Sequence, residues 1–239
     1  MPFADIPNSC SNTTYNLNKS GEAIKSYEKI IKINPKDSKA WNNEGLDLSK
    51  LGRYYDAIKA YDKAIEINPQ NSLAWYNKGL ALDDINKYDE AIKAYDKAIK
   101  INPKDSKAWN NKGLDLSKLG KYDEAIKAYD KEIEINPHDS DSWFNKGNAL
   151  FDFNKSDEAI KAYDKAIEIN PQSSESWSNK GLALYNLNKY DEAIKAFDKA
   201  IEINSQDSDS WYNKGITLVK LGKFDEAIKA YVKATEINP

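Results

Sequence analysis

The chain of 239 residues carries 35 basic and 38 acidic side chains, is 40% hydrophobic, and contains one Cys, one Met and one His. Charges of both signs are mixed along its length for a net of -3, which excludes a basic patch for nucleic acid; one Cys excludes an internal disulfide, and one His a multi-His metal site. No run of about 18 apolar residues occurs, and the first residues lack the basic start and apolar stretch of a secretory signal, which favours a cytoplasmic chain without a membrane span.

The rare residues fall at a fixed step. Trp41, Trp75, Trp109, Trp143, Trp177 and Trp211 are spaced 34 apart, and Gly45, Gly79, Gly113, Gly147, Gly181 and Gly215 keep the same interval. A strict period of this length means that an internal repeat has to be settled before any motif is read. It divides the chain into an irregular segment 1–14, a partial first repeat 15–37, and six units at 38–71, 72–105, 106–139, 140–173, 174–207 and 208–239.

In chain order, segment 1–14 has Pro7 and mostly polar residues. Tyr15-Asn16-Leu17-Asn18-Lys19 repeats Tyr185-Asn186-Leu187-Asn188-Lys189, and Ala23, Tyr27 and Pro35 fall in phase with later units. The first repeat is therefore expected to keep its second helix and to have lost a well-formed first one.

Within a full unit such as 106–139, Ala108, Trp109, Gly113, Leu116 and Leu119 lie on one helical stripe, called helix A. The next residue is Gly120, and its equivalents are Gly52 and Gly222 or Asn18, Asn86, Asn154 and Asn188. Gly and Asn tolerate the left-handed conformation that ends a helix, so a turn is expected at each.

A second stripe follows in Tyr122, Ala125, Ile126, Tyr129, Ile133 and Ile135, called helix B. Asp123 and Glu124 sit in its first turn, where the helix dipole favours them. Helix B stops at Asn136-Pro137, because a Pro disfavours helical geometry in the residue before it. Asp139 or Ser140 is expected to cap the next helix A. Ser205 replaces the terminal Pro of its unit, so a looser connection is expected there. The residue before the repeat Gly is Glu44, Lys78, Lys112, Lys146, Lys180 or Lys214, which marks that position as unburied.

Trp, Gly, Leu, Ala, Tyr, Ala and Pro at these spacings resemble the tetratricopeptide repeat family over six units in phase. The resemblance implies an all-α, right-handed superhelical solenoid of antiparallel helix pairs. It further implies a non-catalytic interaction scaffold that holds an extended peptide or partner protein in a concave groove lined by helix A. The family's carboxylate clamp is not matched, since no fifth position of a unit is Lys and no sixth is basic.

Carried over unit by unit, the sixth position of the groove is Asn43, Asn77, Asn111, Asn145, Asn179 and Asn213. An Asn amide both donates and accepts, which suits it to hold a peptide backbone. The fifth position places Tyr76, Phe144 and Tyr212 on alternate units, and the ninth is apolar except for Asn148. The second position runs Lys39, Leu73, Lys107, Asp141, Glu175, Asp209, so the groove is expected to have a basic end and an acidic end.

Two alternatives stay open beside the groove binder. One is a structural building block whose copies join head-to-tail into filaments or oligomers through incomplete terminal repeats. The other is a tethering module of a longer chain.

No cofactor is called for. Cys10 and His138, the strongest candidates for nucleophilic chemistry, lie about four repeats apart and are not expected to meet, because each repeat of a solenoid touches only its neighbours. Three triplets of glycosylation type begin at Asn12, Asn18 and Asn154, with Asn18 and Asn154 expected at the same exposed turn. They keep an extracellular alternative open.

Overall fold

In the computed structural model the backbone is described for residues 9–238 and the side chains for residues 19–238. The described residues form thirteen α-helices and no strand. The long α1 (Ser9–Ile33) is followed by six pairs: α2 (Ser38–Lys50) with α3 (Tyr54–Ile67), α4 (Ser72–Asp83) with α5 (Tyr88–Ile101), and α6 (Ser106–Lys118) with α7 (Tyr122–Ile135). The rest are α8 (Ser140–Asp152) with α9 (Ser156–Ile169), α10 (Ser174–Asn186) with α11 (Tyr190–Ile203), and α12 (Ser208–Lys220) with α13 (Phe224–Ile237).

The chain divides into two compact units between Asp115 and Leu116, inside α6. In the first, α2 packs on α3, α4 on α5, and α1 and α3 each pack on the helix A that follows. In the second, the pairs α8·α9, α10·α11 and α12·α13 form in the same way, with α7·α8, α9·α10 and α11·α12 contacts between repeats.

Helix boundaries follow local chemistry. The cap of helix A is the last residue of the preceding unit: Asp37, Asn71, Asp139, Ser173 and Asp207 each accept a bond from a first-turn backbone N–H. Helix A ends on a residue with positive φ, 71° at Gly120 and 60° at Asn154. Each Trp indole then ties back to the loop before its helix, as in Trp75 Nε1 to the Pro69 carbonyl at 3.1 Å. Trp211 makes the same bond to Ser205, at 3.3 Å, and Asn204 keeps the extended geometry of its equivalents. The connection at Ser205 thus keeps the geometry of the others, because the carbonyl accepts the indole N–H whether or not the ring of Pro is present.

The core is built from small residues around one large ring per repeat. Ala159, Ala162, Tyr163 and Leu150 are buried together in the second unit, as are Ala57, Ala60, Tyr61 and Leu48 in the first. The repeat Gly lies against that ring: a Cβ at Gly181 would stand 2.6 Å from Phe197, and one at Gly45 2.6 Å from Tyr61. Only a residue without a side chain lets helices A and B approach this closely. The Trp residues are half-buried rather than enclosed.

The N-terminal part departs from expectation. Segment 1–14 is helical from Ser9 onward, and Asn18 lies inside the continuous α1 instead of at a turn. A turn there would bring back a helix lacking the Trp and Gly that pack on helix B, so the chain gains nothing by folding back. Residues 1–8 lie outside the described residues.

Candidate functional site

The helix-A face of the first unit is formed by α2, α4 and the first residues of α6. Its sixth-position amides bond to the helix A before them: Asn77 Nδ2 donates to Asn42 Oδ1 at 3.1 Å, and Asn111 Nδ2 donates to the Tyr76 hydroxyl at 3.0 Å. Asn43 takes a long bond of 3.5 Å from Asn42. Each of these amides has two N–H groups. Asn77 and Asn111 commit one of theirs to the neighbouring repeat, so part of the Asn row stitches repeats together. A cleft of about 760 Å³ opens between the starts of α2 and α4, bordered by Lys39, Asn42, Asn43, Asn71 and Leu73.

In the second unit Asn179 Nδ2 donates to Asn148 Oδ1 at 2.9 Å, and the same oxygen accepts the Tyr163 hydroxyl at 2.8 Å. Asn145 also has a polar partner, and Asn213 is half-buried. Asn148, an interruption of the apolar ninth position, therefore satisfies a buried Tyr.

The fifth-position aromatics lean on the core ring of their own repeat. Tyr76 and Tyr95 stand 6.0 Å apart at 46°, Phe144 and Tyr163 6.1 Å at 49°, and Tyr212 and Tyr231 5.6 Å at 51°. Such tilted pairs are favourable beyond simple burial. Tyr76 and Phe144 are half-buried, while Tyr212 keeps 53% exposure. Ser178, at the same position of α10, is buried and accepts a bond from Ser210 at 2.9 Å.

All six second-position residues are exposed. The first unit is nevertheless not simply basic, because the tenth, twelfth and thirteenth positions add Asp47, Asp83, Asp84 and Asp115. Asp47 is held by Lys50 at 2.7 Å and by Ser20 at 3.3 Å. Burial pushes the Tyr61 hydroxyl up to about 12 and drives Tyr95 and Tyr163 well above the usual tyrosine range, with nearby Asp carboxylates adding to each shift.

A second constellation lies away from this face. Lys78, Lys112, Lys146, Lys180 and Lys214 each pair at 2.6–2.7 Å with the Asp that ends the outer row of the preceding helix B: Asp62, Asp96, Asp130, Asp164 and Asp198. Each ammonium also lies 5.2–5.7 Å from the Trp ring of its own helix A. These Lys side chains retain only 20–21% exposure, so the position is neither open nor apolar. At the first junction Glu44 replaces Lys and stands near Glu28; burial and then Glu28 push its pKa above the usual glutamate range, and Arg53 opposes them. Its Oε2 is sealed without a hydrogen-bond partner.

Of the glycosylation-type triplets, Asn154 is exposed at the turn between α8 and α9, with Ser156 buried behind it. Asn18 does not share that turn, being within α1, and the side chains of Asn12, Asn18 and Cys10 lie outside the described residues. His138 is exposed. Among the described residues no group of His, Cys, Asp and Glu could hold a metal ion, and no helix is long and apolar enough to cross a membrane.

A family model described as tetratricopeptide repeat matches residues 42–106 and 110–174, more than half of the chain, and a second of the same description matches 11–37. The chain belongs to the tetratricopeptide repeat family. A model of anaphase-promoting complex, cyclosome, subunit 3, matches residues 154–234. No curated protein matches the chain significantly.

Among solved structures, MamA is 26% identical with a TM-score of 0.64, over 66% of this chain and 93% of that one. YrrB, described as a TPR protein with an unusual peptide-binding site, is 24% identical with a TM-score of 0.72, over 80% and 98%. Cut9 in the APC/C hetero-tetramer Cut9-Hcn1 is 18% identical with a TM-score of 0.62, over 92% and 44%. For YrrB and Cut9 the likeness is one of fold.

Proposed function

We propose that this tetratricopeptide repeat protein is a non-catalytic scaffold that holds an extended segment of a partner protein along the helix-A faces of its repeats. The supporting observation is Tyr76 in the first unit and Phe144 and Tyr212 in the second, each set against a core ring and each still partly open, with sixth-position Asn residues in the same helices. Rigid aromatics that keep exposed surface are the usual anchors of an interface. Membership of an interaction-repeat family and the described peptide-binding site of YrrB point the same way.

The test is a pull-down with the full chain, set against the variant carrying Tyr76→Ala, Phe144→Ala and Tyr212→Ala. Partners recovered by the first and lost by the second, with both folded, fit this reading. Equal recovery places the binding surface elsewhere.

One observation favours a second reading, self-association. On α13, Phe224, Ile228 and Val232 are exposed by 62%, 60% and 48%, beside a hollow of about 540 Å³ bordered by Trp211 and Leu218. A row of this kind suits a docking surface. Val232 stands where the other helices B carry the Lys-binding Asp, so a second copy would meet an apolar face rather than repeat the Lys–Asp pairing. Sedimentation over a wide concentration range decides it: growth in mass supports assembly, and a monomer at about 100 µM ends it.

A further inference from the structure

The hydroxyl of Tyr95, under the first unit's helix-A face, is a polar atom that its own repeat does not use. Tyr95 is fully buried and its hydroxyl has no hydrogen-bond partner. Two of its counterparts are served: Tyr61 meets Ser49 at 3.3 Å, and Tyr163 donates to Asn148 at 2.8 Å. The residues at those two serving positions are Asp83 and Leu80 in the repeat of Tyr95. Leu80 has no polar group, and Asp83 has a polar contact of its own. A buried hydroxyl without a protein partner is costly, so a polar group brought to it by a ligand would be favoured there.

Asp83 stands at the position from which Ser49 meets the equivalent hydroxyl, and after burial the charges of Asp115, Asp83 and Asp84 also push the Tyr95 hydroxyl's pKa up. Asp115 is buried, Asp83 half-buried and Asp84 exposed, so the three carboxylates differ in their access to solvent. All three carboxylates have polar contacts already, and they offer further lone pairs beyond those in use. Tyr76 adds an aromatic wall, its ring 6.0 Å from that of Tyr95. Several acceptors and an aromatic face are what a planar, multiply donating cation requires.

We propose that the floor around Tyr95, with Asp83, Asp84, Asp115 and Tyr76, is a subsite for a basic side chain of the bound segment, arginine in preference to lysine. This rests on the groove reading above and goes further by naming the chemistry of one anchor residue. A guanidinium has five donors in a fixed plane and spans two carboxylates and a hydroxyl at once, whereas an ammonium is a point charge. The exposed basic residues at the second positions, Lys39 and Lys107, lie on the same unit and disfavour a uniformly basic ligand. The segment expected is therefore a mixed one with a single Arg at this subsite.

The test uses the full chain and fluorescein-labelled peptides in an apolar and glycine background that differ at one central residue: Arg, Lys, Glu or Leu. Anisotropy is read for the wild type, for Asp83→Asn with Asp84→Asn, and for Tyr95→Phe. A charge-matched control carries Asp191→Asn and Asp225→Asn on exposed helix-B sites, and a groove control carries Phe144→Ala with Tyr212→Ala. The expected result is tightest binding by the Arg peptide. The paired Asp variant should weaken it about tenfold and Tyr95→Phe about fivefold, as expected for lost charge-assisted and neutral hydrogen bonds. The charge-matched control should leave it unchanged.

Tyr95→Phe keeps the ring and removes an unpartnered hydroxyl, so its melting temperature should hold or rise; weaker binding then cannot be put down to unfolding. Binding that ignores the central residue, or survives both floor variants while the groove control abolishes it, overturns the subsite and leaves the scaffold reading standing. Equal losses in the floor variant and the charge-matched control would reduce the effect to net charge and likewise overturn it. If no peptide of the set binds, the subsite as proposed falls, and the partner pull-down decides the scaffold reading by itself.

Discussion

On one face of the helix pairs the same three-part contact returns at five junctions: a Lys between the Trp of its own helix and the Asp of the helix before, at 2.6–2.7 Å each time. On the helix-A face no two successive repeats use the same set. The fifth position alternates among Asn42, Tyr76, Asn110, Phe144, Ser178 and Tyr212, and the tenth among Asp47, Ala81, Asp115, Ala149, Ala183 and Thr217. Repetition without change is what stacking demands, because each junction has the same geometric problem to solve. Variation on the other face is free of that demand, which is why the specific chemistry is sought there.

The sharpest way to break this comparison is to remove the ring on which both faces rest. Phe197 is fully buried between α10 and α11, so Phe197→Ala should cost about 3–5 kcal/mol and lower the denaturation midpoint accordingly. A loss below about 1 kcal/mol would show that the ring does not organise its repeat.

A smaller effect tests the repeated face itself. Asp198→Ala strips Lys214 of its partner, but that Asp is half exposed, so solvent screening limits the cost to about 0.5–1 kcal/mol. Chemical denaturation measures it, and the loss should shrink at high salt.

The smallest effect comes from the exception. Glu44 near Glu28 replaces the Lys–acid pair, and its pKa is raised in the folded state by burial and by Glu28, so its ionised form is disfavoured by folding. The penalty is fully present above the raised value and vanishes as the pH falls through it toward the ordinary glutamate range. Glu44→Gln should therefore stabilise the chain by about 0.5 kcal/mol at neutral pH, with the advantage fading on acidification. A constant difference across that range would assign the effect to something other than the charge.

The period alone carried most of the fold: six helix pairs, their caps and the left-handed turns at Gly120 and Asn154 are where the 34-residue spacing puts them. Asn18 carries the same turn signal and forms no turn, because a turn residue permits a reversal but only packing of the returning helix rewards it. The Lys–Asp–Trp contact was hidden because its acid sits sixteen residues back, in the preceding unit. The fifth-position aromatics Tyr76, Phe144 and Tyr212 were legible from spacing, though their contacts with the core rings Tyr95, Tyr163 and Tyr231 were not. The orphaned hydroxyl of Tyr95 was not, since it arises from what Leu80 and Asp83 fail to supply, a difference visible only once Asn148 and Ser49 are seen serving the equivalent rings.

The most direct test of the division between the two faces compares two triple variants in one binding assay against the partner recovered by the full chain. One carries Tyr76→Ala, Phe144→Ala and Tyr212→Ala; the other carries Asp96→Ala, Asp164→Ala and Asp198→Ala. Both are assayed at a temperature where circular dichroism finds them fully helical. The account predicts that the aromatic variant loses binding, while the Asp variant melts earlier yet binds as the wild type does. Normal binding by the aromatic variant, or lost binding by a folded Asp variant, would contradict it.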